Sequence, residues 1–456
     1  MKRYNKYTFL LQIILSSILF SCGNPEKKEE TKNITYSEHI APIIYQHCTN
    51  CHRPGAVAPF SLITYKDVSK RAKLIRFVTE TRFMPPWPAD NTYTHFIDEN
   101  VLSAEEINTI KKWVANGSPI GDSTKIPAPP LFTDGSLLGK PDLVIQMREA
   151  IKIKGNNKDL FLTVKVPYEF SKDTFVKAIE YVPGNAKLVH HLNGHYIKYE
   201  FDKKKNVYEG LNIVNSDEFT PMEVFKQLSV TNDDGTFPVL TPSAVNYLPG
   251  VSYTLYPQGI GGFKFNRKGA ILLNNIHYGP SRIDTTDNSY FNIFFGNKPE
   301  RPTMEMQLGT LGISQIIPPL LIPPNEEKTF YTQTKALMDM SILTINPHMH
   351  LLGKSYLAFA IKPDGDTIPL IRIKKWDFRW QYFYTFTKPV IIPQGSIIYA
   401  YGTFDNTKNN PFNPFTPPQQ VSDRSGSMKT TDEMFQFIIT YLPYKAGDEN
   451  IDLRRK

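Results

Sequence analysis

Six side chains in the C-terminal two-thirds of the chain have the types and spacing of metal ligands. His348 and His350 sit one residue apart in Asn346-Pro347-His348-Met349-His350-Leu351-Leu352-Gly353-Lys354, between flanks that read as β-strand. Alternate residues of a strand share a face, so both imidazoles can point at one ion. His190 and His191 are adjacent, His277 follows in Asn274-Asn275-Ile276-His277-Tyr278-Gly279-Pro280, and Met434 ends Asp432-Glu433-Met434. This region holds no cysteine, and carboxylates do not cluster at the histidines. Imidazole-only and imidazole-plus-thioether donor sets suit copper, with a thioether favouring Cu(I). Zinc fits less well, since its sites rarely use methionine.

A second chemical unit lies nearer the N-terminus. Cys48-Thr49-Asn50-Cys51-His52 carries the attachment signature of a covalently bound c-type haem. Two thiols on one helical turn meet the two vinyl groups, and His52 supplies the proximal nitrogen. Met84, in Arg82-Phe83-Met84-Pro85-Pro86-Trp87-Pro88, is the expected second axial ligand, a thioether that raises the potential. His95 and His47 are alternatives. A thioredoxin-like reading lacks its βαβ setting, and a zinc reading lacks further thiols.

The elements that must position these groups differ between the two parts. Over 36–117 the pattern is helical: 38–45 leads into the haem motif, 65–79 is periodic, and Ser103-Ala104-Glu105-Glu106 forms a capping box before Ile107, Ile110 and Val114. That predicts a small all-α cytochrome c-like domain. A Gly/Ser/Thr/Pro-rich linker covers 118–140. Beyond it come strand signals at 160–166, 251–256, 270–276, 356–362 and 368–373, the last two joined by the turn Pro363-Asp364-Gly365-Asp366. Many short strands broken by turns predict all-β sandwiches. The stretch is too long for one, so two are expected, at 141–297 and 298–447. The apolar patch 316–324 is expected between domains, and the Asn/Pro-rich loop 406–414 as a rigid turn.

Composition agrees with a multidomain, folded body. The 456 residues exceed one ordinary core, and 36 prolines favour loop-rich β structure over helices. The net charge of +8 is spread without a basic stripe or a nucleic-acid motif, so no nucleic-acid partner is expected. Residues 1–22 read as a targeting segment: Lys2, Arg3 and Lys6, a short apolar run, then Leu19-Phe20-Ser21-Cys22, which looks like a bacterial lipoprotein box with Cys22 lipidated. Residues 23–35 are a tether. The protein is thus expected in the cell envelope, lipid-anchored to a membrane and periplasmic or surface-facing. With three cysteines so used, no disulfide framework is expected.

The histidines, taken together, carry a resemblance. The region from Pro141 to about Tyr444 resembles the copper type II, ascorbate-dependent monooxygenases, the family of peptidylglycine α-hydroxylating and dopamine β-monooxygenases. The His-His pair, the later lone His, the His-x-His-x-x-Gly-Lys run and the Glu-Met pair occur in the family's order. The resemblance implies two jelly-roll domains with two unlike copper ions facing each other across a solvent-filled cleft. It implies that His190, His191 and His277 hold an electron-storing copper. His348, His350 and Met434 would hold the copper at which dioxygen reacts, hydroxylating a C–H bond of an organic substrate. His195 would support the first site or substitute as a ligand.

Departures bear on the substrate. A family arginine that clamps a peptide carboxylate is here Asn346, a tyrosine after the copper methionine is Ile438, and the asparagine between them is Gln436. These three mark a less charged pocket. The family disulfides are absent, leaving rigidity to packing around Trp376, Phe378, Trp380, Phe383 and Tyr384. The haem segment, with Cys-His-Arg-Pro-Gly and Met-Pro-Pro-Trp, resembles cytochrome segments fused to bacterial members. It is expected to relay electrons from an external donor. The competing reading is a surface-tethered copper-binding or electron-transfer protein without hydroxylase activity.

Overall fold

In the computed structural model, residues 34–454 are described, apart from 133–134, 201, 217, 249–252, 254, 258 and 424–430. The targeting segment, the lipidation position Cys22 and most of the tether lie outside the described residues.

The N-terminal region is mostly helical. A π-helical turn, Tyr36–Ile40, runs into α1 (Ala41–His47), followed by α2 (Tyr65–Ser69), α3 (Ala72–Glu80) and α4 (Ala104–Ala115). The capping box expected at Ser103 forms: its hydroxyl accepts from Glu106 N while Glu106 accepts from Ser103 N, an arrangement that stabilises a helix start by about 1 kcal/mol. Ile40, Ile44, Val68, Ile75, Ile110 and Trp113 close a separate small core.

Two β-sheet-rich units follow, consistent with a jelly-roll-like fold. In the first, a five-stranded sheet carries β1 (Leu160–Glu169), β2 (Val189–Lys198) and β3 (Lys268–Tyr278), with β3 hydrogen-bonded between the other two. It packs on a four-stranded sheet through Val164, Tyr181, Ile271 and Phe291. In the second, β4 (Met340–Met349) lies between β5 (Tyr384–Ile392) and β6 (Phe435–Pro443). That sheet packs on a five-stranded one through Ile345, Tyr356, Phe404 and Phe437. Each fully buried aliphatic or aromatic side chain here stabilises by about 1.5–3 kcal/mol, so the inner faces dominate the fold.

Three local expectations meet different outcomes. Of the strand expected over 251–256, residues 251, 252 and 254 lie outside the described residues, and Tyr253 forms an isolated bridge to Glu180. The 316–324 patch is not wholly an interdomain surface: Leu320 and Ile322 are buried in the second unit's own core, while Ile317 and Leu321, on the two two-residue strands into which the run is broken, are exposed. The 406–414 loop is a braced turn, with Asn406 Nδ2 donating to the carbonyls of Ile322, Pro323 and Gln419.

The helical region is docked on the second unit by the segment after Met84. Ala89 bridges Ile373 and Phe96 bridges Phe386. The buried Asp90 carboxylate meets Arg372 and Lys374 at 2.8 Å, and the Lys374 contact foremost holds its pKa well below the usual range. The Tyr382 hydroxyl donates to Pro86 O (2.9 Å), and Trp87 packs on Tyr382 and Tyr384 at 5.4 and 5.5 Å.

Candidate metal centre

His190, His191 and His277 converge. Their ligand atoms all lie within 4.8 Å of one another, with ring centroids 4.9–5.3 Å apart. Neighbouring residues of a regular strand point to opposite faces, so an adjacent pair should not converge. The β2–β3 register resolves this. Val189 faces Tyr278 and His191 faces His277, two steps on one strand against one on the other. This β-bulge at His190 re-aims the side chain, as bulges beside functional sites do.

The donor set fits a cation. Nδ1 of His190 lies 3.1 Å from Nδ1 of His191, so two lone pairs would repel there unless a proton or a metal ion lies between them. Nδ1 of His277 is buried and has no hydrogen-bond partner, whereas its Nε2 sits 2.7 Å from Asp159 Oδ1. A carboxylate behind a ligating imidazole fixes its tautomer and orientation and raises its basicity. Asp159 corrects the expectation that no carboxylate attends these histidines. It lies more than a hundred residues from His277, and only the pairing of β1 with β3, which sets Phe161 opposite His277, brings the two together. The Phe161 ring stacks on His277 at 4.3 Å. Burial, then the neighbouring His277, lowers the His190 pKa to about 4, and burial lowers that of His191 well below its usual value. Burial thus favours the neutral form of both rings, the form that ligates.

His348, on β4, and His350, one residue past its end, have ring centroids 5.1 Å apart. The β4–β6 register pairs His348 with Gln436 and Met349 with Phe435, and Met434 lies one residue before β6. Met434 borders the same cavity as the two histidines. His350 Nδ1 donates to Asp432 O (2.8 Å), which leaves Nε2 as its lone-pair atom. Burial lowers the His348 pKa to about 3. Glu433, fully buried, accepts from the backbone N–H groups of His350, Leu352 and Met434 at 2.9, 2.6 and 3.2 Å. Its pKa is raised to about 8 by burial, against those hydrogen bonds.

Both groups border one cavity of about 440 Å³, which His191, His348, His350 and Met434 line. Asn346, Gln436 and Ile438 line it as well. Asn346 is tied back to Tyr382 O and Gln436 to Thr310 O. His195 borders the cavity but stands outside the three-histidine cluster. Phe378, in the turn before β5, stands edge-on to both His191 (5.7 Å) and His350 (5.6 Å). Its aromatic neighbours divide the work: Trp376 donates to His350 O, while Tyr384 packs on Trp87 and Phe96.

In the helical region, Cys48 and Cys51 flank one turn that His52 closes, its backbone N–H donating to Cys48 O (2.9 Å). His52 Nδ1 donates to Phe60 O (3.0 Å), which leaves Nε2 as its lone-pair atom. Burial raises the Cys48 thiol to about 12. Met84 is half-buried at the start of the docking segment. Both nitrogens of His47 are engaged, by Asn100 and Glu106, and His95 is largely exposed against Glu99, so neither suits an axial role.

Residues 306–450 match the family model for the copper type II ascorbate-dependent monooxygenase C-terminal domain. No curated protein matches the chain. Among solved structures, the infectious bursal disease virus Gt strain matches at 11% identity and a TM-score of 0.16, over 70% of this chain and 81% of that one. The VP2 subviral particle of the same virus matches at 10% and 0.15, over 69% and 80%; scores this low carry no argument. The family match spans the region of His348, His350 and Met434 and leaves His190, His191, His277 and the helical region outside it.

Proposed function

We propose that the chain is a copper-dependent monooxygenase with two copper ions, one held by His190, His191 and His277 and the other by His348, His350 and Met434. The observation that carries the reading is the three-imidazole cluster, with a buried, unpaired Nδ1 on His277 and Asp159 behind it. When bound, the metal ions would supply one-electron redox chemistry and activation of dioxygen. The overall reaction consumes an R–H bond, O₂, two electrons and two protons, and yields R–OH and water. The protein's own part would be to hold six donors in position and to seat the C–H bond in the shared cavity. The family match over 306–450 supports the second site.

Cys48, Cys51, His52 and Met84 would hold a c-type haem, which would supply one-electron transfer. The docking of the segment after Met84 beside the cavity supports a relay, since it fixes the donor region against the acceptor region. The mature protein would be tethered to the cell envelope through Cys22.

Metal analysis and electron paramagnetic resonance of the purified protein test the core of this proposal. Two copper ions per chain with distinct spectra are expected; one or none would defeat it. Copper-dependent oxygen uptake coupled to product, across a panel of C–H substrates, separates a hydroxylase from an electron carrier. Copper-dependent acceleration of ferrous haem oxidation in stopped flow tests the relay.

A further inference from the structure

The bulge that turns His190 toward the other two rings must be held in place. A regular strand would set the rings of an adjacent pair on opposite faces, and a slip of one residue carries a side chain across the sheet. The bulge lies between two cross-strand pairs, Val189 with Tyr278 and His191 with His277. The group that grips the first pair comes from another part of the chain. It is Asp287, at the end of a short strand, Thr285–Asp287, that pairs with Ile151–Ile153.

Asp287 is 1% exposed, and its two oxygens serve the two sides of that pair. Oδ2 accepts from the hydroxyl of Tyr278 (2.7 Å), the residue after His277. Oδ1 accepts from Asn185 N (2.6 Å). Asn185 O in turn accepts from Leu188 N and Val189 N (3.0 and 3.1 Å), closing the turn that leads into His190. Ser289 completes the network: its hydroxyl donates to Asp287 Oδ2 (2.6 Å) and accepts from Gly184 N (3.2 Å). The turn can come this close only because residue 184 is glycine; a Cβ there would stand 2.6 Å from the Asn288 backbone. A buried carboxylate is costly unless its oxygens are hydrogen-bonded, and here the donors that satisfy it are drawn from both sides of the bulge.

We infer that Asp287 is the positioning residue of the three-histidine centre. By gripping the turn before His190 and the residue after His277, it locks the bulge, and the bulge aims the His190 ring at its two neighbours. This rests on the copper reading only for the identity of the ion; the placement of the three rings does not need it.

The test uses the purified full-length protein with selectively labelled histidines. NMR contacts between the His190 ring and the rings of His191 and His277, whose centroids lie 5.3 and 4.9 Å away, read placement without metal. Cu(II) alone, in a His348→Ala/His350→Ala background that leaves only this centre, reads the donor set: pulsed electron paramagnetic resonance counts the imidazoles, and three are expected. Asp287→Ala should lose the His190 contacts, drop the count by one and weaken Cu(II) binding by about 10–100-fold. Asp287→Asn keeps an acceptor for Asn185 N and can donate to the two hydroxyls, so it should keep all three imidazoles. Tyr278→Phe removes a single oxygen; it should weaken the His190 contacts and lower Cu(II) affinity severalfold, and it carries the test if the alanine variant does not fold. Intact contacts and an unchanged count in Asp287→Ala, or in Tyr278→Phe where the alanine variant does not fold, would overturn the inference. An Asp287→Asn protein as damaged as Asp287→Ala would overturn it too, since charge rather than placement would then be what the residue supplies. Loss of the His190 contacts in Asp287→Ala, when the parent binds no Cu(II), would instead count against the copper reading and leave this one standing.

Discussion

The two histidine groups face one cavity but are supported differently. Around His190, His191 and His277 the donors are all imidazoles, and the supporting carboxylate, Asp159, touches a ring nitrogen. Around His348, His350 and Met434 a thioether replaces one imidazole, and the carboxylate, Glu433, touches no ring; it gathers three backbone N–H groups of the ligand-bearing segments. The first arrangement tunes a ligand's basicity, whereas the second fixes the spacing of two strands. Under the proposed two-copper reading, the contrast would suit one site that keeps its coordination shell through redox change and one that leaves room for a reacting molecule.

The largest effect that would break this comparison is expected from His277→Ala. It should abolish copper at the first site and lower the stoichiometry by one ion per chain, leaving the second site's resonance signal unchanged. If both signals vanish, the sites are not independent. Asp159→Asn removes the charge behind His277 and should weaken metal binding there by about 10–100-fold, without altering the second site; competition against a chelator measures it. Met434→Ala should lower Cu(I) affinity at the second site by on the order of tenfold, disturb Cu(II) less, and leave the haem spectrum intact. An equal loss of both oxidation states would remove the thioether from the ligand set.

The smallest expected effect is a pH slope in the metal-free protein, and its two arms have opposite signs. His190 and His348 have folded pKa values lowered to about 4 and about 3, so below about pH 6.5 the unfolded chain takes up their protons first, and stability falls as the pH drops toward those values. Glu433, raised to about 8, does the reverse. Its unfolded form ionises first, so stability falls as the pH rises from the ordinary carboxyl range toward 8. Thermal melts of the metal-free protein should show a decline between about pH 6.5 and 8 that Glu433→Gln flattens. Glu433→Gln should also lower stability by about 1–3 kcal/mol at low pH, since one buried acceptor atom is lost among three donors.

Much of the helical region was legible locally. The Ser103–Glu106 capping box and the Cys-x-x-Cys-His turn depend on residues within one or two turns of each other, and local hydrogen bonds are enough to form them. The same holds for His348 and His350, whose closeness follows from their alternate positions in the chain. The His190–His191 pair was legible as a motif but not as a geometry, because alternation by itself sends the two rings apart. The burial of Leu320 and Ile322 in the second unit's own core was misjudged for a related reason: apolar runs do not state which core will take them.

The sequence by itself determined which atoms are available: five imidazoles, one thioether, two thiols with an adjacent histidine, and the backbone periods that carry them. Only the tertiary structure decided which of these atoms meet. The bulge that turns His190, the Asp159 carboxylate delivered by strand pairing and Phe378 between the two groups all depend on contacts between residues far apart in the chain. Such contacts are chosen by how whole sheets pack and register, and no local pattern of side chains encodes them.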